Sequence, residues 1–495
     1  MKNVLRCIRI TIIALIALHV INGSSTNNNN NILYISTVAS PSHFLWTEKL
    51  SKNLAKKGYN VTLLNIFKEG TEPNLYFLKL DDVYNELKID DPIDFLTLHK
   101  MSPYELIASF AELEYTVCKL ALTSVNLSHL ISYPKNFTFD LILHDHLAGP
   151  CLLFLLERFN NPPLVLASAS NIIPSSEYLV SSLFSPGPVL SHLYDSTLPM
   201  RFLEKNYNYF LRAYEYFSKK YYFNTKIDQL VACHFPNINS VSLLESTAVF
   251  VLVNSIAILE PYEPPRIWRF VNVGGLHINL PKPFDKNQFQ ITHQSSKKYE
   301  KYVYISFGSN VQILSFDNII SQSIIEVARS MPHVKFLWKI DFSAQPVNND
   351  LPENIVTANW FPQNDLLGSG TVDVFVTHGG LLSVQEAVWY GIPMLGIPNY
   401  GDQYQNVQRI VWMGLGTKLL LEEITSNKLS EHLLELINNE RYKHRLNLMS
   451  RFIRDEQITP QARAIWILEW VIRNHPQRIK LLDNPNKVEI TSMHV

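Results

Sequence analysis

The stretch that decides the fold runs from residue 359 to residue 403 and reads NWFPQNDLLGSGTVDVFVTHGGLLSVQEAVWYGIPMLGIPNYGDQ. Residues 372–377 are apolar and largely β-branched, which is typical of a buried parallel strand. Two glycines come soon after, and residues 381–390 then have the composition of a helix that ends at a Gly-Ile-Pro sequence. Residues 394–398 predict a second short strand. The order strand, Gly-Gly turn, helix, strand indicates an α/β protein with a parallel sheet.

The turn between the first of these strands and the helix has the features of an anion site. Gly379 and Gly380 let the backbone approach a ligand closely. The start of the helix offers unpaired N–H groups at the positive end of the helix dipole. His378, directly before the glycines, adds one more hydrogen-bond donor. A Gly-Gly pair alone more often marks only a tight connection, so the residues around it decide its meaning.

Polar and aromatic side chains surround this turn in the sequence. Glu386 lies about two helical turns beyond the histidine, where its carboxylate can chelate vicinal ribose hydroxyls. Trp360 and Gln363 precede the strand and offer a stacking plane and an amide edge for a base. Asp402 and Gln403 follow the next strand, at the carboxyl edge of the sheet where open α/β sheets bind ligands. Together they favour a nucleotide site.

Residues 360–406 match the pattern WxPQ through HGGxxSxxEAxxxGxPxxxxPxxxDQxxN with hardly a gap. This pattern resembles the signature of the UDP-glycosyltransferases, which move a sugar from a UDP-sugar onto small lipophilic acceptors. The resemblance implies two facing Rossmann-like domains, the glycosyltransferase-B type of α/β fold, with the nucleotide-sugar site in the cleft. It also implies a donor-binding role for Ser383, the serine of the pattern.

The chain outside the signature stretch fits this two-domain expectation. Residues 32–36, 44–57 and 59–66 predict an opening strand, helix and strand, and residues 301–306 begin a new strand after a polar, Lys-rich segment. The predicted division is an acceptor-binding domain (27–280), a linker (281–299), a UDP-sugar-binding domain (300–455), a helix that returns to the first domain (456–475) and a polar tail (476–495).

Two residues of the first domain are candidates for the catalytic dyad. His43 lies in the predicted loop after the first strand, and Asp145 follows a predicted strand at residues 139–143. The two side chains can meet if both strands belong to one parallel sheet, because their carboxyl ends then share an edge. A histidine in such a loop is, by itself, more often structural. The resemblance implies that His43 is the catalytic base and that Asp145 is its partner.

A second Gly-containing turn is the expected opposite wall of the phosphate site. Ser306, Gly308 and Ser309 lie between the predicted strand at residues 301–306 and a predicted helix at residues 317–330. Such a turn supplies backbone N–H groups and hydroxyls to a diphosphate. No metal and no other cofactor is expected, since we find no Asp-x-Asp motif. The UDP-sugar is itself a substrate.

Composition and cysteine usage set further bounds. The chain is 46% hydrophobic and 18% charged with a net charge of -1, whereas a nucleic-acid surface demands a basic excess. Cys118, Cys151 and Cys233 are too few for a disulfide framework; one bridge can form, but buried thiols are favoured. Beyond the predicted signal, three Asn-x-Ser/Thr sites fit an exported glycoprotein, at Asn60, Asn126 and Asn136.

The two ends of the chain predict export. Residues 1–23 carry basic residues followed by an apolar run at residues 10–21, which is typical of a secretory signal and short for a membrane span. The animal family pattern adds a C-terminal transmembrane helix, but no apolar run of that length follows Asn474. The layout resembles the secreted, anchorless ecdysteroid glucosyltransferases of insect viruses. We therefore expect a protein of the endoplasmic reticulum lumen or a secreted protein. Residues 180–220 are rich in aromatic side chains and leave a peripheral membrane contact open.

The resemblance implies an inverting transfer of a sugar to a hydroxyl of a phenolic, steroid, ecdysteroid or xenobiotic acceptor, as in detoxification. Glucose is the favoured sugar, because Gln403 after Asp402 suits its ring hydroxyls, although the same pair serves other sugars. Two other classes stay open. A secreted carrier for hydrophobic molecules would be expected to lack the dyad, and a nucleotide-sugar epimerase or hydrolase would need no lipophilic cavity. The acceptor and the oligomeric state are not determined by the sequence.

Overall fold

The computed structural model describes residues 30–81, 83–90, 98–174, 191, 193, 195–260, 269–285, 299–308, 318–340 and 351–474. The predicted signal, most of the predicted linker, the polar tail and Ser309 lie outside the described residues. Within the described part of the chain, no helix is long and apolar enough to cross a membrane.

The first half of the chain forms an eight-stranded sheet with the order β3-β4-β2-β1-β5-β6-β7-β8. Its strands are β1 (Asn31–Ser36), β2 (Asn60–Asn65), β3 (Gly70–Glu72), β4 (Leu75–Lys79), β5 (Leu141–Asp145), β6 (Leu164–Ser168), β7 (Phe250–Val253) and β8 (Phe270–Asn272). All neighbours are parallel except β3, which pairs antiparallel with β4. The strand order reverses at β1, and the ligand crevice of such sheets lies at this kind of switch point.

Helices cover both faces of this sheet, which is why its central strands are apolar on both sides. The described helices of this half are α1 (Pro41–Lys56), α2 (Val83–Asp90), α3 (Pro103–Leu122), α4 (Val125–Ile131), α5 (Leu155–Arg158), α6 (Phe202–Ser218), α7 (Asn224–His234) and α8 (Val241–Ser246). A π-helical turn, Lys219–Phe223, joins α6 to α7. Helix α3 begins at a capping box, in which Ser102 and Glu105 exchange hydrogen bonds with each other's backbone.

The second half forms a six-stranded, all-parallel sheet with the order β11-β10-β9-β12-β13-β14. Its strands are β9 (Lys301–Ser306), β10 (Val334–Lys339), β11 (Ile355–Ala358), β12 (Val374–Thr377), β13 (Met394–Gly396) and β14 (Gly416–Lys418). The helices are α9 (Asn318–Ser330), α10 (Gln363–Gly368), α11 (Leu381–Tyr390), α12 (Asp402–Trp412), α13 (Ser426–Asn438), α14 (Glu440–Arg454) and α15 (Pro460–Asn474). The order reverses at β9, so a second switch point lies between β9 and β12. The two parallel sheets with flanking helices confirm the predicted fold class of two Rossmann-like domains.

The two halves are joined by packing as well as by the chain. Helix α15 packs on the first sheet, where Leu468 and Ala464 are fully buried in the same apolar cluster as Trp46. The buried amide of Gln385 on α11 also bridges the halves. Its Oε1 accepts from the N–H of Gly275 at 3.0 Å, and its Nε2 donates to the carbonyl of Asn254 at 2.8 Å. These contacts hold α11, the helix after the predicted anion site, against the first half.

The structure corrects two expectations from the sequence. Cys118 and Cys151, expected as buried thiols, form a disulfide with a Cα–Cα distance of 5.7 Å, because α3 packs beside the segment that precedes α5. Cys233 is exposed rather than buried. His43 does not lie in a loop: Pro41 occupies the first turn of α1 and starts the helix earlier than predicted, so His43 lies in that first turn.

Candidate active site

A cavity of about 270 Å³ lies between the two halves, at the carboxyl edges of both sheets. From the first half it is lined by His43, by apolar side chains such as Phe110 and Ile173, and by a few polar groups. From the second half it is lined by His378, Gly380, Asp402 and Gln403, among others. Residues that the sequence placed in two separate domains therefore line one cavity.

The predicted dyad is assembled at the switch point of the first sheet. Strands β1 and β5 are parallel neighbours, with Ile35 opposite His144, so their ends bring α1 next to Asp145. The Nδ1 atom of His43 lies 3.5 Å from Oδ2 of the fully buried Asp145. The other carboxylate oxygen accepts from the N–H of Leu147 at 3.3 Å. Since Nδ1 faces the carboxylate, Nε2 is the ring nitrogen that is left to accept a proton.

His378 occupies a slot between two glycines. A Cβ atom at Gly308 would lie 2.7 Å from its Nε2 atom, and one at Gly380 would lie 2.5 Å from the same atom, so any other residue would displace the ring. Burial, helped by the charge of Lys339, lowers the pKa of His378 to about 4. The imidazole is therefore neutral at physiological pH and can donate from one nitrogen.

The backbone next to His378 is shaped by two glycines and the start of α11. Gly379 has φ +84°, and a Cβ there would lie 2.4 Å from Val407, so this turn also requires glycine. Gly380 then serves as the N-cap of α11 without any side-chain cap and without an acidic residue in the first turn. The first N–H groups of the helix remain for a ligand. Across the turn, Ser306 is buried and its Oγ lies 3.5 Å from the N–H of Gly308.

Gln363 is the centre of a hydrogen-bond network that includes the buried Glu386. Gln363 donates from Nε2 to Oε2 of Glu386 at 2.7 Å and to Oγ of Ser383 at 3.0 Å, while its Oε1 accepts from Tyr304 at 3.3 Å. Both amide donors of Gln363 are therefore directed at Glu386 and Ser383, and its expected contact with a base stays a prediction. Burial raises the pKa of Glu386 to about 7.

Trp360, three residues before Gln363, is 56% exposed. The Nζ atom of Lys339 sits 4.4 Å from the centre of its ring and donates to the carbonyl of Gly308 at 3.0 Å. Burial lowers the pKa of Lys339 to about 8. One ring face thus contacts a cation beside the Gly308 turn.

Asp402 and Gln403 lie in the first turn of α12. Asp402 accepts from Asn406 at 3.0 Å, and burial raises the pKa of Asp402. The Oε1 atom of Gln403 accepts from the N–H groups of Asn399 and Tyr400, at 2.9 and 3.3 Å. Gln403 therefore uses its carbonyl oxygen to hold the loop that precedes it.

Three residues near the site were not identified from the sequence. Lys339 is the last residue of β10, so the rule that pointed to the carboxyl edges of other strands could have found it. Tyr304 and His277 gave no signal. The Nε2 atom of His277 lies 3.8 Å from Oε1 of Glu386, a contact that joins the two halves of the chain. The contacts of Tyr304 with Gln363 and of His277 with Glu386 join residues far apart in the sequence, so no spacing pattern predicts them.

The two Rossmann-like halves with a cavity between them define the glycosyltransferase-B type of fold. Residues 37–479 match the family described as UDP-glucoronosyl and UDP-glucosyl transferase, and the chain belongs to this family. It is a glycosyltransferase, as the signature stretch predicted.

Similar proteins agree with this assignment. UDP-glucosyltransferase 2 of Dactylopius coccus is 24% identical over 91% of this chain and 85% of its own length. The ecdysteroid UDP-glucosyltransferase of Lacanobia oleracea granulosis virus is 33% identical over 41% of this chain and 43% of its own length. Among solved structures, the glycotransferase of kitacinnamycin superposes with a TM-score of 0.61 at 20% identity, covering 90% of this chain and 99% of its own, which supports the fold.

Proposed function

We propose that this enzyme transfers glucose from UDP-glucose to a hydroxyl group of a small lipophilic acceptor, with inversion to a β-glycoside. The observation that carries the proposal is the shared cavity. His43, next to Asp145, lines it from one half, while His378 and the start of α11 line it from the other. A base and an anion site that face the same space are what a displacement at an anomeric carbon requires.

In this proposal, His43 removes the proton of the acceptor hydroxyl as the oxygen attacks the anomeric carbon. The carboxylate of Asp145 orients the ring and stabilises the imidazolium that forms, as the carboxylate of a serine hydrolase triad does. The bond from the anomeric carbon to the UDP oxygen breaks in the same step, so the α-linked donor gives a β-linked product. His43 then holds the acceptor's proton and releases it to solvent.

The second half would hold the leaving group. UDP gains negative charge as the bond breaks, and we expect His378, the N–H groups of Gly379 and Gly380, and the residues Ser306, Gly308 and Ser309 to stabilise it. Glu386 would accept the ribose hydroxyls, supported by Ser383 and Gln363, and Trp360 would stack on the base. Asp402 and Gln403 would contact the sugar. No step needs a metal, so we expect activity to survive chelation by EDTA.

Glucose is favoured over glucuronate by the charges around the cavity. Among its described lining residues there is one lysine and no arginine, and that lysine, Lys219, lies beside Glu114. Asp402 also lines the cavity. A donor carboxylate would find few cations to pair with, whereas the hydroxyls of glucose suit carboxylate and amide groups. The relative named as UDP-glucosyltransferase 2 is consistent with this choice.

The acceptor and the compartment follow from two further observations. Most lining residues of the first half are apolar, for example Ile107, Phe110 and Leu193, which suits a lipophilic acceptor such as a phenol, a steroid or an ecdysteroid. The disulfide between Cys118 and Cys151 supports a place in the secretory pathway, either the lumen of the endoplasmic reticulum or the exterior, since disulfides persist in oxidising compartments.

The test is release of UDP from UDP-glucose, UDP-glucuronate and other UDP-sugars, with and without a panel of phenolic and steroidal acceptors. We expect acceptor-dependent release that is highest with UDP-glucose, and a β-linked product by NMR. Release without acceptor would favour a hydrolase, and release only with UDP-glucuronate would overturn the choice of sugar.

The role of His43 is tested by separating turnover from donor binding. His43→Ala should lower kcat by roughly 10²–10⁴-fold and leave the calorimetric affinity for UDP almost unchanged, because the base acts only in the transfer step. Asp145→Asn should also slow turnover without weakening the binding of UDP. His234→Ala, at an exposed histidine of α7, is the matched control and should change neither. Full activity of His43→Ala would exclude His43 as the base.

A further inference from the structure

The apolar half of the cavity contains a charged group that the transfer reaction does not use. Glu114 of α3, Glu215 of α6 and Lys219 of the π-helical turn all line the cavity. Lys219 places its Nζ atom 3.7 Å from Oε1 of Glu114, so these two charges balance. Behind them His146 and Glu245 form a second buried pair at 3.2 Å. Glu215 is the third acidic residue of this group and belongs to neither of these two pairs.

Glu215 is buried, and one of its two carboxyl oxygens has no hydrogen-bond partner within the part of the chain that the structure describes. Its residue exposure is 9%, and no donor among the described residues lies within hydrogen-bond distance of its Oε2 atom. Arg212, one turn earlier on α6, and Lys219 act on the carboxyl group only through their charge. A buried oxygen without a hydrogen bond costs free energy and is rarely kept without a reason.

The local backbone is shaped around this polar group. The π-helical turn Lys219–Phe223 interrupts the path from α6 to α7, and both of its end residues line the cavity. Such turns insert one extra residue and are frequent at functional sites. On the facing side, Gly149 has φ +71°, and a Cβ there would lie 2.7 Å from Oε2 of Glu114. The fold therefore makes room for the carboxyl groups at the cavity wall.

We propose that Glu215 determines acceptor specificity by accepting a hydrogen bond from a second hydroxyl group of the acceptor. Preferred acceptors are then apolar molecules with two hydroxyl groups, one of which reacts at His43 while the other is bound by Glu215. The inference rests on the proposed function, because it assigns the apolar half of the cavity to the acceptor. The positive charge of Lys219 on the same wall disfavours an ammonium group in this position.

Burial raises the pKa of Glu215 to about 7, so the carboxyl group is present in both forms near neutral pH. Either form has an oxygen that accepts a hydrogen bond from a hydroxyl. A site built to bind a hydroxyl discriminates strongly against an analogue without it, since the buried acceptor is then left unpaired.

The experiment compares pairs of acceptors that differ only in the second hydroxyl. Suitable pairs are dihydroxynaphthalene with naphthol, 4,4′-dihydroxybiphenyl with 4-hydroxybiphenyl, and estradiol with its 17-deoxy analogue, which span increasing distances between the two oxygens. For the pair whose length fits, we expect kcat/KM of the diol to exceed that of the mono-ol by roughly 10–100-fold. Glu215→Leu should reduce this ratio to about two or less, the statistical factor for two equivalent hydroxyls. Glu215→Gln should retain most of it.

Two controls separate specificity from structure. Glu112→Leu removes an exposed carboxylate from α3 and should leave the ratio unchanged. Thermal unfolding of Glu215→Leu should give an equal or higher Tm, because the variant removes an unpaired buried oxygen. A ratio near two for every pair in the wild type, or a ratio that Glu215→Leu leaves intact, would overturn the inference. The inference would also be overturned if Glu215→Leu lowered the Tm and reduced kcat/KM equally for the diol and the mono-ol. Absence of transfer to any acceptor would instead refute the proposed function.

Discussion

Protonation of Glu386 should control donor affinity below neutral pH. Its carboxylate is buried, and burial raises its pKa to about 7. A neutral carboxyl group accepts hydrogen bonds from two ribose hydroxyls less well than a carboxylate does. Binding of a UDP-sugar should therefore select the ionised form and release a proton. Affinity should be high above pH 7 and should fall as the pH falls through 7.

The size of the effect follows from the ionised fraction. With a pKa of about 7, half of the groups are ionised at pH 7, about a tenth at pH 6 and about a hundredth at pH 5. The apparent Kd for the donor should then rise about fivefold from pH 7 to pH 6 and about fiftyfold from pH 7 to pH 5. His378 and His277, whose pKa values burial lowers to about 4, stay neutral over most of this range. Lys339 stays largely protonated, since its pKa is about 8.

The assay is calorimetric titration of UDP-glucose between pH 5 and pH 7.5. UDP-glucose is preferable to UDP, because its diphosphate diester does not titrate in this range. Repeating the titration at pH 7 in buffers of different ionisation enthalpy should show release of about half a proton per ligand bound. Glu386→Gln should bind more weakly at pH 7.5 and should lose both the pH dependence and the proton release. A pH-independent wild-type affinity, or the same pH dependence in Glu386→Gln, would refute the reasoning.

Three further outcomes are expected. Gly380→Ala places a Cβ 2.5 Å from the imidazole of the preceding histidine, so it should lower kcat/KM by roughly 10²-fold in initial-rate assays while far-UV circular dichroism stays unchanged. Cys118→Ser opens a disulfide that joins residues 33 apart and should cost about 2–4 kcal/mol in denaturant unfolding; an unchanged midpoint would contradict this. Leu203, Phe210 and Phe217 recur every seventh residue on α6 and are 78%, 58% and 52% exposed, so the wild type should sediment with anionic lipid vesicles. The triple serine variant should stay in the supernatant, and equal sedimentation of both proteins would exclude this face.

Much of the fold was accessible because local patterns carry it. The strand–turn–helix order around Gly379 and Gly380 was predicted from the sequence, and the predicted helix at residues 381–390 has the bounds that the structure shows, Leu381–Tyr390. This was possible because glycine placement and apolar runs report backbone conformation directly. Boundaries elsewhere shifted by a few residues. Helix α1 begins at Pro41 rather than at residue 44, because helix starts depend on tertiary contacts as well as on composition.

The site was only partly accessible for a related reason. The sequence located His43 and Asp145 as a candidate pair, but their 3.5 Å contact depends on β1 and β5 being neighbours, which strand order alone decides. It assigned Gln363 to a base and gave no sign that packing turns both amide donors toward Glu386 and Ser383. The partners of a side chain depend on which groups the folded structure packs beside it, and the spacing of residues in the sequence does not contain this information.

The sequence by itself determined the family, the two parallel sheets and the kinds of residue at their carboxyl edges. These features follow from periodicity, turn residues and a long signature stretch. The tertiary structure alone decided the disulfide of Cys118 and Cys151, the bridge made by Gln385, and the burial of a Glu215 oxygen atom that has no hydrogen-bond partner among the described residues. Each depends on contacts between segments far apart in the chain and on the loss of water around them, and neither quantity can be read from neighbouring residues.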